Sequence, residues 1–89
     1  MDIFEERHDG MVILAPQGRI DSNTSTGLER KLLEVLEQKP RGIVIDFAAI
    51  DYISSAGLRV VLMAAKRLRG SSAALALCQL NGFILRYSR

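Results

Sequence analysis

The chain has 89 residues, of which 48% are hydrophobic and 25% are charged, and this composition excludes an intrinsically disordered protein. The length predicts a single domain over residues 1–89. The net charge of +2 is small, and most basic residues are scattered among acidic ones, so we expect no nucleic-acid binding.

Two compositional features concern the location of the protein. The amino terminus lacks a signal-peptide pattern, and no apolar run approaches the roughly 20 residues that cross a bilayer. We therefore expect a cytoplasmic protein with no direct membrane insertion. Four basic residues gather near the second predicted helix, and we interpret them as a solvated face rather than a phosphate-binding surface. They are Arg59, Lys66, Arg67 and Arg69.

The first elements predicted along the chain are a β-hairpin and a helix. Residues 2–8 and Met11–Pro16 favour strands, and Asp9-Gly10 is a two-residue turn signal between them. The helix that follows has three candidate N-cap residues, Asp21, Ser22 and Asn23. It should run to about Gln38, before Pro40. Its apolar face comprises Leu28, Leu32, Val35 and Leu36.

The second half of the chain alternates strand and helix. Gly42–Phe47 is a nearly continuous apolar run that predicts a buried strand, followed by a loop over Ala48–Ile53. A second helix should begin near Ser54-Ser55 and end around Arg69-Gly70. Its predicted core face consists of Leu58, Val61, Leu62, Ala65 and Leu68.

A last strand is predicted over Ala73–Leu80, and the β-β-α-β-α-β order indicates an α/β domain with a mixed sheet. After it, Asn81-Gly82 is a hairpin signal, and a helical or irregular end is equally compatible with the sequence.

Residues that carry catalytic or metal chemistry are scarce. His8 is the only histidine and lies in a charged stretch, where a surface imidazole is the expected role. Cys78 is the only cysteine, so we predict a small core side chain, no disulfide and no structural zinc site. We predict no catalytic residue, no metal and no cofactor. Asp46 is expected to accept hydrogen bonds from loop amides.

The segment Tyr52–Leu58 is the most informative part of the chain. In physical terms, Ser54 or Ser55 caps the second helix, Gly57 permits a close approach of two backbones, and Leu58 begins the core face. The segment also resembles the signature of the anti-sigma factor antagonist family, whose domain is also found in sulfate transporters and is known as STAS. That signature has an aromatic residue, an apolar one, a small polar one, a phosphorylatable Ser or Thr, a small residue and then Gly-Leu.

Two further blocks are similar to the same family. Gly18–Asp21 matches the family's Gly-x-Ile/Leu-Asp ahead of its first helix, and Gly42–Phe47 matches its central strand. The resemblance extends from about Met11 to Cys78. It implies a STAS-like fold, in which a mixed sheet of four to five strands carries packed helices.

The resemblance also implies a function. Unmodified members bind an anti-sigma factor, which often is also a serine kinase, and phosphorylation of the antagonist ends the complex. Ser55 occupies the position of the phosphorylated residue. The residues expected to bind the partner are Asp21, Ser22, Asn23, Ser54, Ala56, Gly57 and Leu58.

This sequence departs from the family pattern at three places. Ser54 stands where many phosphorylated members have Asp, and Arg59 stands where many have Gly. Only eleven residues follow Cys78, whereas family domains usually continue with a helix, a strand and another helix. A shortened C-terminal end would leave apolar surface that a partner, a swapped segment or a homodimer could cover.

The sequence leaves three alternatives to the antagonist role. The nearest is a STAS regulatory or scaffold subunit of another signalling or transport assembly, with no sigma-factor role. An enzyme with Ser55 as nucleophile would need a base, and the only histidine is distant in sequence. A purely structural oligomer is the third.

Overall fold

The computed structural model describes residues 1–69 and 73–78, and the chain begins with the predicted hairpin. Strand β1 (Ile3–His8) pairs antiparallel with β2 (Met11–Pro16). Asp9 and Gly10 join the two strands with φ angles of 53° and 85°. Both residues are left-handed, as a two-residue turn requires to match the twist of the strands it joins.

A four-stranded mixed sheet forms the centre of the fold, in the order β1-β2-β4-β6. Strands β4 (Gly42–Asp46) and β6 (Ala74–Cys78) extend it, with β4 parallel to both β2 and β6. Since successive strand residues point to opposite faces, alternate side chains of β2 and β4 enter the core. The buried ones are Val12, Leu14, Ile43 and Ile45.

Helix α1 (Ser25–Glu37) packs on this buried face through Leu28, Leu32 and Val35, as predicted, while Leu36 is half-buried. Gln38 is its C-cap. Of the three predicted N-cap residues, only Asp21 accepts hydrogen bonds from the backbone N–H groups of the turn before the helix. The predicted N-cap residues were wrong, because α1 begins at Ser25 and its N-cap is Thr24, which makes no side-chain capping hydrogen bond.

The predicted loop over Ala48–Ile53 was wrong in its second half. Residues 50–53 form strand β5 (Ile50–Ile53), which pairs parallel with β3 (Gly18–Ile20) in a separate two-stranded sheet. Ile50 and Ile53 are buried, whereas Asp51 and Tyr52 between them are exposed. Neither short strand has a clear alternation, so local sequence does not reveal a pairing between segments about thirty residues apart.

Helix α2 (Ser55–Leu68) begins where the sequence predicted, but its core face is rotated. The predicted core residues Leu62 and Ala65 are exposed, and Val60 and Ala64 are buried in their place. The helix is apolar around much of its circumference, so two stripes compete for the core. The stripe that is buried includes two small residues, Gly57 and Ala64, which allow α2 to lie close to the core elements that it packs against.

Both helices contact each other and contribute to one core cluster with the sheet. The α/β fold with a mixed sheet and packed helices is thereby confirmed, with two short strands in addition. The predictions for Gly70, for the Cys78 side chain, for Leu80, and for the Asn81-Gly82 turn and the shortened end at residues 79–89 lie outside the described residues.

Candidate functional site

The β3–β5 pair brings the two sequence motifs together. Arg19 lies opposite Tyr52 and Ile20 opposite Ile53, and the Ser54 N–H donates a hydrogen bond to the Ile20 carbonyl oxygen at 2.7 Å. The motif that ends at Asp21 and the motif that contains Ser54 therefore leave the same edge of this small sheet.

Asp21 organises the turn that leaves β3. One carboxylate oxygen accepts hydrogen bonds from the N–H groups of Asn23 and Thr24, at 2.9 and 3.0 Å. The Thr24 hydroxyl accepts from the Asp21 N–H at 2.9 Å and donates to the Arg19 carbonyl at 2.7 Å. The Thr24 amide, followed by the Asn23 amide, holds the pKa of the Asp21 carboxyl below its ordinary value. This carboxylate is therefore ionised at neutral pH, and Ser22 and Asn23 beside it are exposed.

The two adjacent serines at the start of α2 differ in their surroundings. Ser54 is the N-cap, and its hydroxyl accepts a hydrogen bond from the Gly57 N–H at 3.3 Å. Ser55 is the first residue of the helix and is exposed, and its hydroxyl makes no hydrogen bond to residues 1–69 or 73–78. The serine hydroxyl that a visiting enzyme or partner can reach is thus that of Ser55.

Gly57 fixes the position of this first turn. A Cβ on residue 57 would lie 2.5 Å from Ile20 Cγ2 and 2.8 Å from Ile53 Cγ1, closer than side-chain carbons can approach. The absence of a side chain lets α2 lie directly against the β3–β5 pair. Gly57 is therefore buried, while Ala56 and Leu58 on either side are half-buried.

A groove with a volume of about 370 Å³ lies beside Ser55. Its apolar walls include two large exposed side chains, since Tyr52 is 41% and Leu62 is 47% exposed. Leu58 and Arg59 also line it. The Arg19 guanidinium carbon lies 4.5 Å from the centroid of the Tyr52 ring, a distance at which a cation–π interaction stabilises the position of the ring.

Sequence reasoning found the serines and Asp21 but missed this groove. The available signal was the second apolar stripe on α2, in which Leu58 and Leu62 are four residues apart and lie one above the other. The sequence pattern placed this stripe in the core, whereas Leu62 is exposed and Leu58 is half-buried. The Arg19–Tyr52 contact depends on the β3–β5 pairing and could not be predicted without it.

Among the described residues, neither a metal-binding cluster nor a histidine or carboxylate lines this groove. Within residues 1–69 and 73–78, no three His, Cys, Asp or Glu side chains are placed to hold a metal ion. The His8 Nε2 atom lies 3.3 Å from a Glu6 carboxylate oxygen on β1, and neither residue lines the groove. Asp46 accepts from the Ala48 N–H at 2.9 Å, as predicted.

Comparison with known proteins decides the family. A model of the STAS domain matches residues 4–88. The chain belongs to the STAS domain family. Among STAS proteins, BtrV of Bordetella bronchiseptica, named as an anti-sigma factor antagonist, is 42% identical over 81 residues, which cover 91% of this chain and 70% of BtrV.

Two further STAS proteins are more distant. RsfB of Mycobacterium tuberculosis, named as an anti-sigma-F factor antagonist, is 31% identical over 61 residues, which are 68% of this chain and half of RsfB (50%). The Bacillus antagonist SpoIIAA, in its unphosphorylated form, superposes with a TM-score of 0.83 over 96% of this chain and 79% of its own, at 16% identity. At that identity the likeness to SpoIIAA shows the fold alone.

Neither helix of this STAS domain, within the part of the chain that is described, is long and apolar enough to cross a membrane.

Proposed function

We propose that this STAS domain is an anti-sigma factor antagonist whose binding is switched by phosphorylation of Ser55. The unmodified protein binds an anti-sigma factor that is also a serine kinase, and phosphate on Ser55 ends the complex. The observation that carries the proposal is the exposed Ser55 hydroxyl, which has no hydrogen-bond partner among the described residues and lines an apolar groove. The names of BtrV and RsfB support the antagonist role.

The fold can tolerate a phosphate at this position. The amides of Ser55 and Ala56 lie in the first turn of α2 and have no acceptor within the helix. The helix dipole adds positive character at the same end, which stabilises a negative group by about 0.3–1 kcal/mol. Phosphorylation would therefore change the surface of the domain without unfolding it.

The partner would experience a much larger change. Phosphorylation replaces a neutral hydroxyl with roughly −1.5 to −2 charges. A partner that covers Tyr52, Leu58 and Leu62 would have to remove water from that charge beside an apolar surface. A loss of only about 2.8 kcal/mol weakens binding a hundredfold.

The proposed binding surface surrounds Ser55 on two sides. The turn of Asp21, Ser22 and Asn23 supplies a fixed carboxylate and exposed polar groups, joined to the helix start by the Ser54–Ile20 hydrogen bond. The remaining residues of the surface are Ser54, the N-cap of α2, and Ala56 and Leu58 from the first turn of the helix. Gly57 lies beneath the surface, and we assign it the role of positioning that turn.

Affinity capture from the native cell, followed by mapping of phosphorylated residues, tests the proposal. The unmodified protein and Ser55→Ala should retain a partner with a kinase fold, whereas Ser55→Glu should lose it. His8→Glu, which adds a negative charge at an exposed position of β1 that does not line the groove, is the control and should retain the partner. Equal capture by the Ser55→Glu and unmodified forms would contradict the switch.

The alternative is a STAS regulatory or scaffold subunit without a sigma-factor role. Ser54, where many antagonists have Asp, favours it slightly. Under this alternative the captured assembly would contain no anti-sigma factor, and Ser55 would carry no phosphate in protein purified from cells.

We also propose that the protein acts by binding rather than by catalysis, in the cytoplasm where sigma factors function. A nucleophilic serine needs a base to take its proton, and the groove beside Ser55 is lined by no histidine or carboxylate among the described residues. A serine-directed covalent probe should leave Ser55 unlabelled.

A further inference from the structure

Two grooves meet at the end of the domain where β2 and β4 begin, away from the Ser55 groove. One, of about 400 Å³, lies between the C-terminal ends of the two helices, and the other, of about 250 Å³, lies between α1 and the hairpin. Lys39 and Pro40 line both, so the grooves form one continuous surface. We call it the basic surface, because four of its five charged lining residues are basic: Arg7, Lys39, Arg41 and Arg67, against the acidic Glu37.

The charge of the basic surface is largely uncompensated. Arg7 is paired with Glu5, but Lys39, Arg41 and Arg67 form no ion pair with residues 1–69 or 73–78. All three are exposed. A domain with a net charge of only +2 therefore places three cations at one end that form no ion pair within the described residues, with Glu37 as the acidic residue among them.

Backbone geometry singles out Lys39. Its φ angle is 51°, in the left-handed region just past the C-cap of α1. Glycine is the usual residue there, because a side chain makes this conformation unfavourable. The conformation ends α1, since the Lys39 N–H donates to the Leu36 carbonyl at 3.1 Å, and the exposed Lys39 side chain lines both grooves. Arg41 next to it is anchored, since its N–H donates to the Gly10 carbonyl at 2.9 Å and its guanidinium donates to the Asp9 carbonyl at 3.3 Å.

We infer that the basic surface binds an acidic segment of a partner protein that also carries apolar residues. The cations would pair with Asp or Glu side chains, and the apolar lining between the helix ends would take Leu or Phe side chains. This lining comprises Leu36, Pro40, Leu68 and Ala73. The inference is independent of the antagonist role, because the basic surface shares no residue with the Ser55 groove.

A nucleic acid fits this surface less well. Single strands are bound by aromatic side chains that stack on the bases along a basic track. Neither groove is lined by a Phe, Tyr or Trp side chain among the described residues. An apolar lining favours contact with apolar protein side chains over contact with phosphate groups.

The test uses a fluorescein-labelled peptide of alternating Glu and Leu pairs, followed by fluorescence anisotropy and by amide chemical shifts of the full chain. We expect saturable binding, with shifts at residues 36–41 and 67–68 and none at residues 52–62. Lys39→Gly should weaken binding about two- to fivefold, the worth of one exposed ion pair. Lys39→Gly/Arg67→Gln should weaken it about tenfold.

Lys39→Gly separates binding from folding, because glycine relieves the left-handed conformation and should leave thermal stability equal or higher. Arg30→Gln, which removes one charge from an exposed position of α1, is the control and should bind as the unmodified protein does. The inference is overturned by an absence of saturable binding, by equal losses in Arg30→Gln and Lys39→Gly, by shifts centred on residues 52–62, or by tighter binding of oligo-dT than of the peptide.

Discussion

Gly57 and Ile20 lie so close that a Cβ on residue 57 would stand 2.5 Å from Ile20 Cγ2. This contact sets the first turn of α2 against β3, where the Ser54 N–H donates to the carbonyl of Ile20, the residue before Asp21. Gly57, from the Tyr52–Leu58 motif, is thus packed against Ile20, from the Gly18–Asp21 motif.

Substitution of Gly57 by Ala should destabilise the domain by about 1–3 kcal/mol, because the new methyl group overpacks the contact with Ile20 and Ile53. Gly27→Ala in α1 is the matched control, since its nearest contact would be the Met1 Cβ at 4.0 Å. It should stabilise by about 0.5–1 kcal/mol through helix propensity. Urea unfolding of both variants measures the difference, and equal effects would contradict the close approach.

Substitutions of the two serines at the start of α2 should change the free energy of unfolding by different amounts. Ser54→Ala removes the N-cap hydroxyl and should cost about 0.5–2 kcal/mol. Ser55→Ala removes an exposed hydroxyl that makes no hydrogen bond within the described part of the chain, and it should change the free energy of unfolding by less than about 0.5 kcal/mol. Chemical denaturation of the pair is the measurement, and a larger loss for Ser55→Ala would mean that the assignment of the cap is wrong.

Leu62→Ala should have little effect on folding, although the sequence pattern placed Leu62 in the core. Its side chain is 47% exposed, so we expect a loss below about 1 kcal/mol. Leu28→Ala, at a position with no exposure, should cost about 2–5 kcal/mol. The same Leu62 variant should weaken capture of the partner, because Leu62 lines the groove beside Ser55.

An ion pair between β1 and α1 should make stability depend on pH. The Lys31 ammonium group lies 2.5 Å from a Glu5 carboxylate oxygen, and its hydrogen bond, followed by that of Arg7, lowers the pKa of Glu5 below the ordinary 4.5. Because the pKa is lower in the folded state, the stabilisation is complete above about pH 4.5 and is lost as the pH falls through the folded value.

Glu5→Gln should therefore reduce the fall in unfolding free energy between about pH 5 and pH 3 by about 0.5 kcal/mol. Lys31→Met should raise the pKa of Glu5, as followed by NMR titration of its carboxyl carbon. An unaltered Glu5 titration in Lys31→Met would contradict the role of Lys31.

The sequence predicted those features that neighbouring residues determine. Asp9-Gly10 specifies its turn locally, and Ser54 marks the start of α2 because capping involves residues within one turn. The β3–β5 pair was missed because three or four residues carry no period of their own. The core face of α2 was misassigned because Leu62 and Ala64 are equally plausible until the contact of Gly57 with Ile20 fixes the rotation of the helix.

The candidate site was likewise predicted only in those parts that local motifs determine. Asp21 and Ser55 were identified through motifs that lie on contiguous residues. The groove depends on how α2 is rotated, and the Arg19–Tyr52 contact depends on pairing across the small sheet. Both arise from tertiary packing, which local pattern does not determine.

The hydrogen bond from Ser54 to Ile20 joins segments that lie more than thirty residues apart, with α1 and β4 between them. The surroundings of Ser55 exist only after those intervening elements have assembled. Whatever enzyme or receptor acts there must recognise a three-dimensional epitope, so a linear peptide cut from residues 50–62 would be a poor substitute for the intact domain.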